Sequence, residues 1–176
     1  LKKIMVVSIK CIIFLKKLIS YFRTIEIYEK KTNRSIKKFK KFKFKTFNHF
    51  SKIKSKEILN YFNIYKDKKK RFNQNIIFMT LSLNGKLVSS GWLFQGKNWN
   101  ITEIDRKLSV KNKLVIFDFI TPLVYRNKGY YTKLLKIILG KFKKKDILIY
   151  VLSSNTHSKK AIIKAGFDYK YQLKKI

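Results

Sequence analysis

Two short stretches of this sequence put reactive residue types where chemistry can happen. The first is "LVIFDFI", Leu114–Ile120, an apolar run interrupted by a single carboxylate, Asp118. Carboxylates seldom sit in buried strands unless they are paired or functional, because taking the charge out of water is costly. Burial pushes a carboxyl upward, toward the range of a useful general base. The competing explanation for Asp118 is a structural ion pair with one of the many lysines. The second stretch is "VYRNKGYYTKLL", Val124–Leu135, in a chain with only six glycines and one proline. Gly129 lies between a basic segment and an apolar run of helical spacing. A helix N-terminus exposes unpaired N–H groups and the positive end of the dipole. Glycine there lets backbone approach a ligand closely. With Arg126 and Lys128 alongside, the stretch forms an anion site suited to a pyrophosphate. The plainer alternative is a turn.

Other phosphate and metal chemistries fit poorly. No Gly-Lys-Ser/Thr follows Gly129 at the spacing of a nucleoside-triphosphate loop, and the three glycines of a dinucleotide fingerprint are missing. The single Cys11 excludes an internal disulfide and a multi-cysteine metal site. His49 and His157 stand apart from any carboxylate cluster, so no metal is expected.

"RNKGYY", Arg126–Tyr131, resembles the coenzyme A loop of the GNAT acetyltransferase superfamily, which reads Arg/Gln-x-x-Gly-x-Gly/Ala after an apolar strand. It matches at Arg126 and Gly129. It departs at Tyr131, where an aromatic residue is similar to the variant in members associated with surface polysaccharide synthesis. A second segment supports the resemblance: Asn155, Ser158, Lys164, Gly166 and Phe167 match a family pattern after the next strand. The likeness covers about residues 42–176 and is strongest over 115–167.

The resemblance implies an α/β fold with a mixed, mostly antiparallel sheet. A central parallel strand pair splays apart, flanked by helices. It implies acetyl-CoA as co-substrate and an amine as small-molecule acceptor, on an amino sugar, a sugar nucleotide, a peptide N-terminus or another small amine. Pantetheine would lie along Phe119, Ile120 and Thr121. The loop of Arg126, Asn127, Lys128, Gly129, Tyr130, Tyr131 and Thr132 would hold the pyrophosphate, with Asn155 and Ser158 completing the coenzyme site. A strand N–H would stabilise the oxyanion. Asp118 is the expected base, with Glu103 and Asp105 as weaker alternatives. The tyrosine that many members carry seven residues after the motif asparagine is replaced by Ile162, which leaves Tyr130, Tyr131 or water as the acid.

These residues need particular elements to hold them. "KFKFKTF" alternates like an edge strand whose lysines face water. "SKEILNYFNIYK" reads as a short helix with Ser55 as N-cap. "NIIFMTLSLNGKLVSSGWLF" is a hairpin turning at Asn84-Gly85. "KLVIFDFI", the helix from Gly129, "DILIYVLSS", the helix "SKKAIIKAGF" and the run "YKYQL" complete a mixed sheet with two parallel central strands. Residues 1–22 pattern as a basic amphipathic helix, able to lie on an anionic membrane or dock on the domain. Lys10, Lys16 and Lys17 interrupt it too often for an ordinary spanning helix. We therefore divide the chain into an extension, 1–40, and an acetyltransferase-like domain, 41–176. A first residue of Leu points to an alternative start or a truncated frame.

The net charge of +34 suggests nucleic acid or an anionic membrane as partner. Lys dominates over Arg, however, and Ile, Asn, Phe and Tyr are also abundant, so an AT-rich genome explains much of the charge. Nucleic-acid readers favour Arg for bidentate contacts, so no specific nucleic acid is expected. A non-catalytic protein binding nucleic acid or a membrane surface is the alternative to the enzyme. The expected location is the cytoplasm, with residues 1–22 as the contact to the inner membrane face.

Overall fold

The structure, a computed structural model, describes residues 23–30, 41–65 and 67–175, without the side chain at position 73. The amphipathic helix expected over 1–22 lies outside the described residues. Strand β1 (Thr24–Lys30) is followed by β2 (Phe42–Phe47), α1 (Lys56–Phe62), the single turn α2 (Lys68–Arg71), β3 (Ile76–Leu83) and β4 (Lys86–Gln95). A small hairpin of β5 (Asn98–Ile101) and β6 (Arg106–Ser109) precedes β7 (Lys113–Ile120). Then come α3 (Tyr130–Lys141), β8 (Asp146–Leu152), α4 (Thr156–Ala165) and β9 (Asp168–Lys174).

The main sheet runs β2-β3-β4-β7-β8-β1-β9. Its pairings are antiparallel except β7 with β8, which are parallel. The mixed α/β fold expected from the sequence is therefore the one observed. Local signals account for much of it. Asn84 and Gly85 both adopt positive φ, 49° and 77°, as a two-residue hairpin turn requires. Ser55 accepts from the Ile58 N–H at the start of α1, and Asn155 accepts from the Ser158 N–H at the start of α4. β2 is an edge strand, with Lys43 and Lys45 exposed and Phe47 buried.

One boundary needs correction. The sequence reading places Thr24–Lys30 in the extension, yet β1 is an inner strand between β8 and β9. Ile25 and Ile27 are fully buried under the β5–β6 hairpin, with Val115 and Leu148. The division at residue 40 thus cuts off part of the sheet. The physical reason is register: Ile25 pairs with Leu152 and Leu173, partners too distant along the chain to be read locally.

The sheet carries an apolar layer on each face. Leu134, Leu135, Ile138 and Leu139 form the buried stripe of α3 and pack with Ile162 of α4 on Leu114, Ile116, Ile147 and Ile149. On the other face Phe62 of α1 packs in one cluster with Phe78, Trp92 and Phe117. Burying each such side chain contributes about 1.5–3 kcal/mol.

α4 is tied to β1 by an ion pair, Lys159 Nζ to Glu26 Oε1 at 2.9 Å, and Tyr28 donates to the other Glu26 oxygen. Burial acts to raise the Glu26 carboxyl, but the bonds from Tyr28 and Lys159 outweigh it and hold the group below the usual glutamate value. A depressed carboxyl stabilises the fold above its unfolded pKa, and that contribution is lost as pH falls through the folded value. Glu26→Gln should therefore destabilise the protein at neutral pH, with the difference from wild type shrinking below about pH 4. Urea unfolding at pH 7 and pH 3 checks this. An equal difference at both would show that the pair is not what stabilises this contact.

Candidate active site

The parallel pairing of β7 and β8 ends at Ile116 and Ile149. Beyond that point Phe117–Ile120 keep only β4 as strand neighbour, and Tyr150–Leu152 keep only β1. A β-bulge lies where the strands part. Trp92 pairs with Phe117 and Ser90 with Ile120, so Gly91 alone opposes Asp118 and Phe119. The extra residue bends β7 and interrupts its ladder. Asp118 takes the left-handed conformation, φ 54°, which Asp tolerates better than most side chains. Gly91 is needed opposite: a Cβ there would stand 2.4 Å from the Phe119 ring.

The bulge changes the surroundings of Asp118. Regular alternation would put it on one face with Ile116 and Ile120. Instead Ile116 and Phe119 share the α3–α4 face, while Phe117 and Ile120 pack on the other. Nor is Asp118 buried. Its side chain is 46 % exposed, and Oδ2 lies 2.7 Å from Arg71 Nη1, an arginine rather than a lysine. The Arg71 guanidinium sits 5.0 Å from the Trp92 ring, with Phe117 and Tyr65 close by.

A cleft of about 1390 Å³ opens at the splay. On the α3–α4 side it is lined by Phe119, Thr121, Arg126, Asn127, Gly129, Tyr130, Tyr131 and Thr132, and by Asn155 and Ser158. Asp118 and Ile120 also line it. Of the residues expected to hold the coenzyme only Lys128 does not; its ammonium lies over the Tyr125 ring. Glu103 lines the cleft and Asp105 does not.

The loop before α3 is built for its position. Arg126 Nε donates to the Thr121 carbonyl at 3.2 Å, tying the loop to the end of β7. Asn127 and Gly129 both have positive φ, 60° and 73°. No side chain caps α3, and its hydrogen-bond ladder begins with Lys133 N–H to Gly129 C=O. The amides of Tyr130, Tyr131 and Thr132 precede that ladder and carry the positive end of the dipole. A Cβ on Gly129 would meet nothing within 4 Å. The glycine is thus required by its backbone angle rather than by crowding within the protein.

The opposite side of the cleft holds residues that the sequence reading missed. Arg71, Gln74, Asn98, Asn100 and Trp99 line it. Trp99 packs at a tilt against Phe117 and Phe94, with ring centroids 4.4 Å and 4.8 Å away. Arg71 is hidden in a lysine run, and the rarity of Arg in this chain was its only signal. Tyr150 faces the same side, with a polar hydroxyl in an apolar strand just as Asp118 has its carboxylate. Ile162 is buried in the core, so it brings no hydroxyl to the cleft. Burial pushes the Tyr131 and Tyr150 phenols well above the usual tyrosine value. Among the described residues no grouping of three or more His, Cys, Asp or Glu could hold a metal ion. None of their helices is long and apolar enough to cross a membrane.

No protein-family model matches the chain, and no curated protein does. Solved structures do. A conserved protein of unknown function from Staphylococcus epidermidis superposes with a TM-score of 0.58 at 10 % identity, over 86 % of this chain and 59 % of its own. A GNAT-family protein from Novosphingobium aromaticivorans gives 0.58 at 11 %, over 86 % and 61 %. A GNAT-family acetyltransferase from Colwellia psychrerythraea gives 0.54 at 11 %, over 86 % and 53 %. The chain thus spans little more than half the length of these neighbours. At such identities the likeness concerns the fold alone, and this chain has the fold of the GNAT acetyltransferases.

Proposed function

We propose that the protein transfers an acetyl group from acetyl-CoA to an amine, with an amino sugar or sugar nucleotide as the favoured acceptor class. The observation that carries this reading is one cleft joining an uncapped helix N-terminus to a splayed, bulged strand pair. The amides at the start of α3, with Arg126, suit a pyrophosphate. The unpaired edge of β7 from Phe117 to Ile120 offers backbone groups to an extended amide-bearing arm. Acetyl-CoA would supply the activated acyl thioester. The interrupted ladder at Asp118–Phe119 leaves N–H groups available to a developing oxyanion. Asp118 would take the amine proton directly or through one water, with Arg71 holding its carboxylate in place.

The acceptor class rests on the far side of the cleft. Trp99 offers a flat aromatic face, and Gln74, Asn98 and Asn100 offer paired amide donors and acceptors. Such a surface suits the apolar face and vicinal hydroxyls of a sugar ring. The basic charge by itself supports a nucleic-acid or membrane-surface role, but it gives no reason for this cleft. The test is acetyl-CoA-dependent release of free thiol against amino sugars, polyamines and peptides. Turnover with glucosamine or a related sugar amine is expected. Turnover confined to polyamines or peptides would remove the sugar from the reading, and no coenzyme A binding at all would remove the enzyme.

A further inference from the structure

We propose that Tyr150 is the acid of this reaction, its O–H protonating the sulfur as the carbon–sulfur bond breaks. The inference rests on the acetyl-transfer reading and adds a residue to it. Tyr150 directly follows Ile149, the last β8 residue paired with β7, so it stands where the strands part. Asp118 occupies the corresponding region of β7, two residues beyond the last paired position, Ile116. Both line the cleft. Alternation along β8 puts Ile147, Ile149 and Val151 on the α3–α4 face, and Tyr150 packs with Trp99 and Phe117 on the other.

The hydroxyl is oriented by one neighbour. Trp99 Nε1 lies 3.4 Å from Tyr150 Oη. An indole N–H can only donate, so the phenol oxygen accepts and its own proton must point elsewhere. Among the described residues no acceptor takes that proton. The charged groups facing the phenol are Glu103 from the β5–β6 hairpin, and Asp118 and Arg71 across the cleft. Burial, with Glu103 and Asp118 adding to it, keeps the group protonated well into alkaline solution.

The step balances. The amine lone pair forms the nitrogen–carbon bond, and the carbon–sulfur pair goes to sulfur. Sulfur takes the Tyr150 proton, the nitrogen loses its surplus proton to Asp118 or water, and the phenolate regains a proton from solvent.

Two measurements test this. In the first, 3-fluorotyrosine is placed at position 150 and its ¹⁹F resonance is followed while coenzyme A or desulfo-coenzyme A is added. Coenzyme A should move the resonance, and the analogue without sulfur should leave it near its free position. An equal response to both, or to neither, would overturn the assignment. In the second, Tyr150→Phe should lower turnover with the best acceptor of the panel by about 10²-fold or more, with coenzyme A affinity within about twofold. Wild-type turnover in that variant overturns Tyr150 as the acid and leaves the acetyl-transfer reading standing. A wild-type protein that binds no coenzyme A overturns both.

Discussion

Replacing Asp118 with Asn should lower acetyl transfer about 10²- to 10⁴-fold and leave coenzyme A affinity nearly unchanged. Asn suits the test for two reasons. It keeps the planar shape of the side chain, and it tolerates the left-handed backbone that the bulge imposes, φ 54°. Ala at this position would combine loss of the base with strain of about 1–2 kcal/mol. The cost to folding should be modest, at most about 1 kcal/mol, because Asp118 is 46 % exposed and solvent screens its pairing with Arg71. Arg71 lies over Trp92, Phe117 and Tyr65, and those contacts do not depend on the carboxylate. Urea unfolding beside the kinetics separates the two effects. A near-normal rate in a well-folded Asp118→Asn would show that the carboxylate only anchors Arg71, and the base would then be sought at Glu103, which also lines the cleft.

Asp118 also shows where the sequence was legible and where it was not. A lone carboxylate in an apolar strand was visible, and so was the strand. Its surroundings were not, because side-chain alternation has period two and one inserted residue reverses every face beyond it. The only local hints of the bulge were Asp118 itself, tolerant of positive φ, and Gly91, which yields space to the Phe119 ring. Neither says that two residues of one strand oppose one of the other.

The helix from Tyr130, the Asn84-Gly85 hairpin and the caps at Ser55 and Asn155 were legible because each depends on neighbours within a few residues. β1 was not, although "TIEIYEK" alternates, because its partners lie on β8 and β9 at the far end of the chain. The same limit hid the acceptor side of the cleft. Arg71, Trp99 and Tyr150 come from a helical turn, a hairpin and a core strand, and only the folded sheet brings them together. Arg71 and Asp118 are 47 positions apart in the chain and touch at 2.7 Å.

Gly129→Val should weaken coenzyme A binding by at least about tenfold, the equivalent of about 1.4 kcal/mol. The sequence gives Gly129 the part of letting backbone approach a ligand closely, which a side chain would hinder. The structure gives a different first cause. Gly129 is the N-cap of α3 at φ 73° and ψ 13°, and a Cβ would have open space around it. A β-branched residue in that region is a true outlier. Valine would escape by returning to negative φ, which rotates the amides of Tyr130, Tyr131 and Thr132 away from a common focus. The two causes separate in a series of variants measured by calorimetry. If backbone angle decides, Gly129→Asn should bind nearly as well as wild type, since Asn tolerates the left-handed region, and Gly129→Ala should fall between Asn and Val. If crowding of the ligand decides, Asn should bind at least as poorly as Ala, because its side chain is larger. Thermal unfolding of each variant reports the strain on α3 without ligand. Equal coenzyme A affinity in wild type and Gly129→Val would show that this helix start does not hold the pyrophosphate.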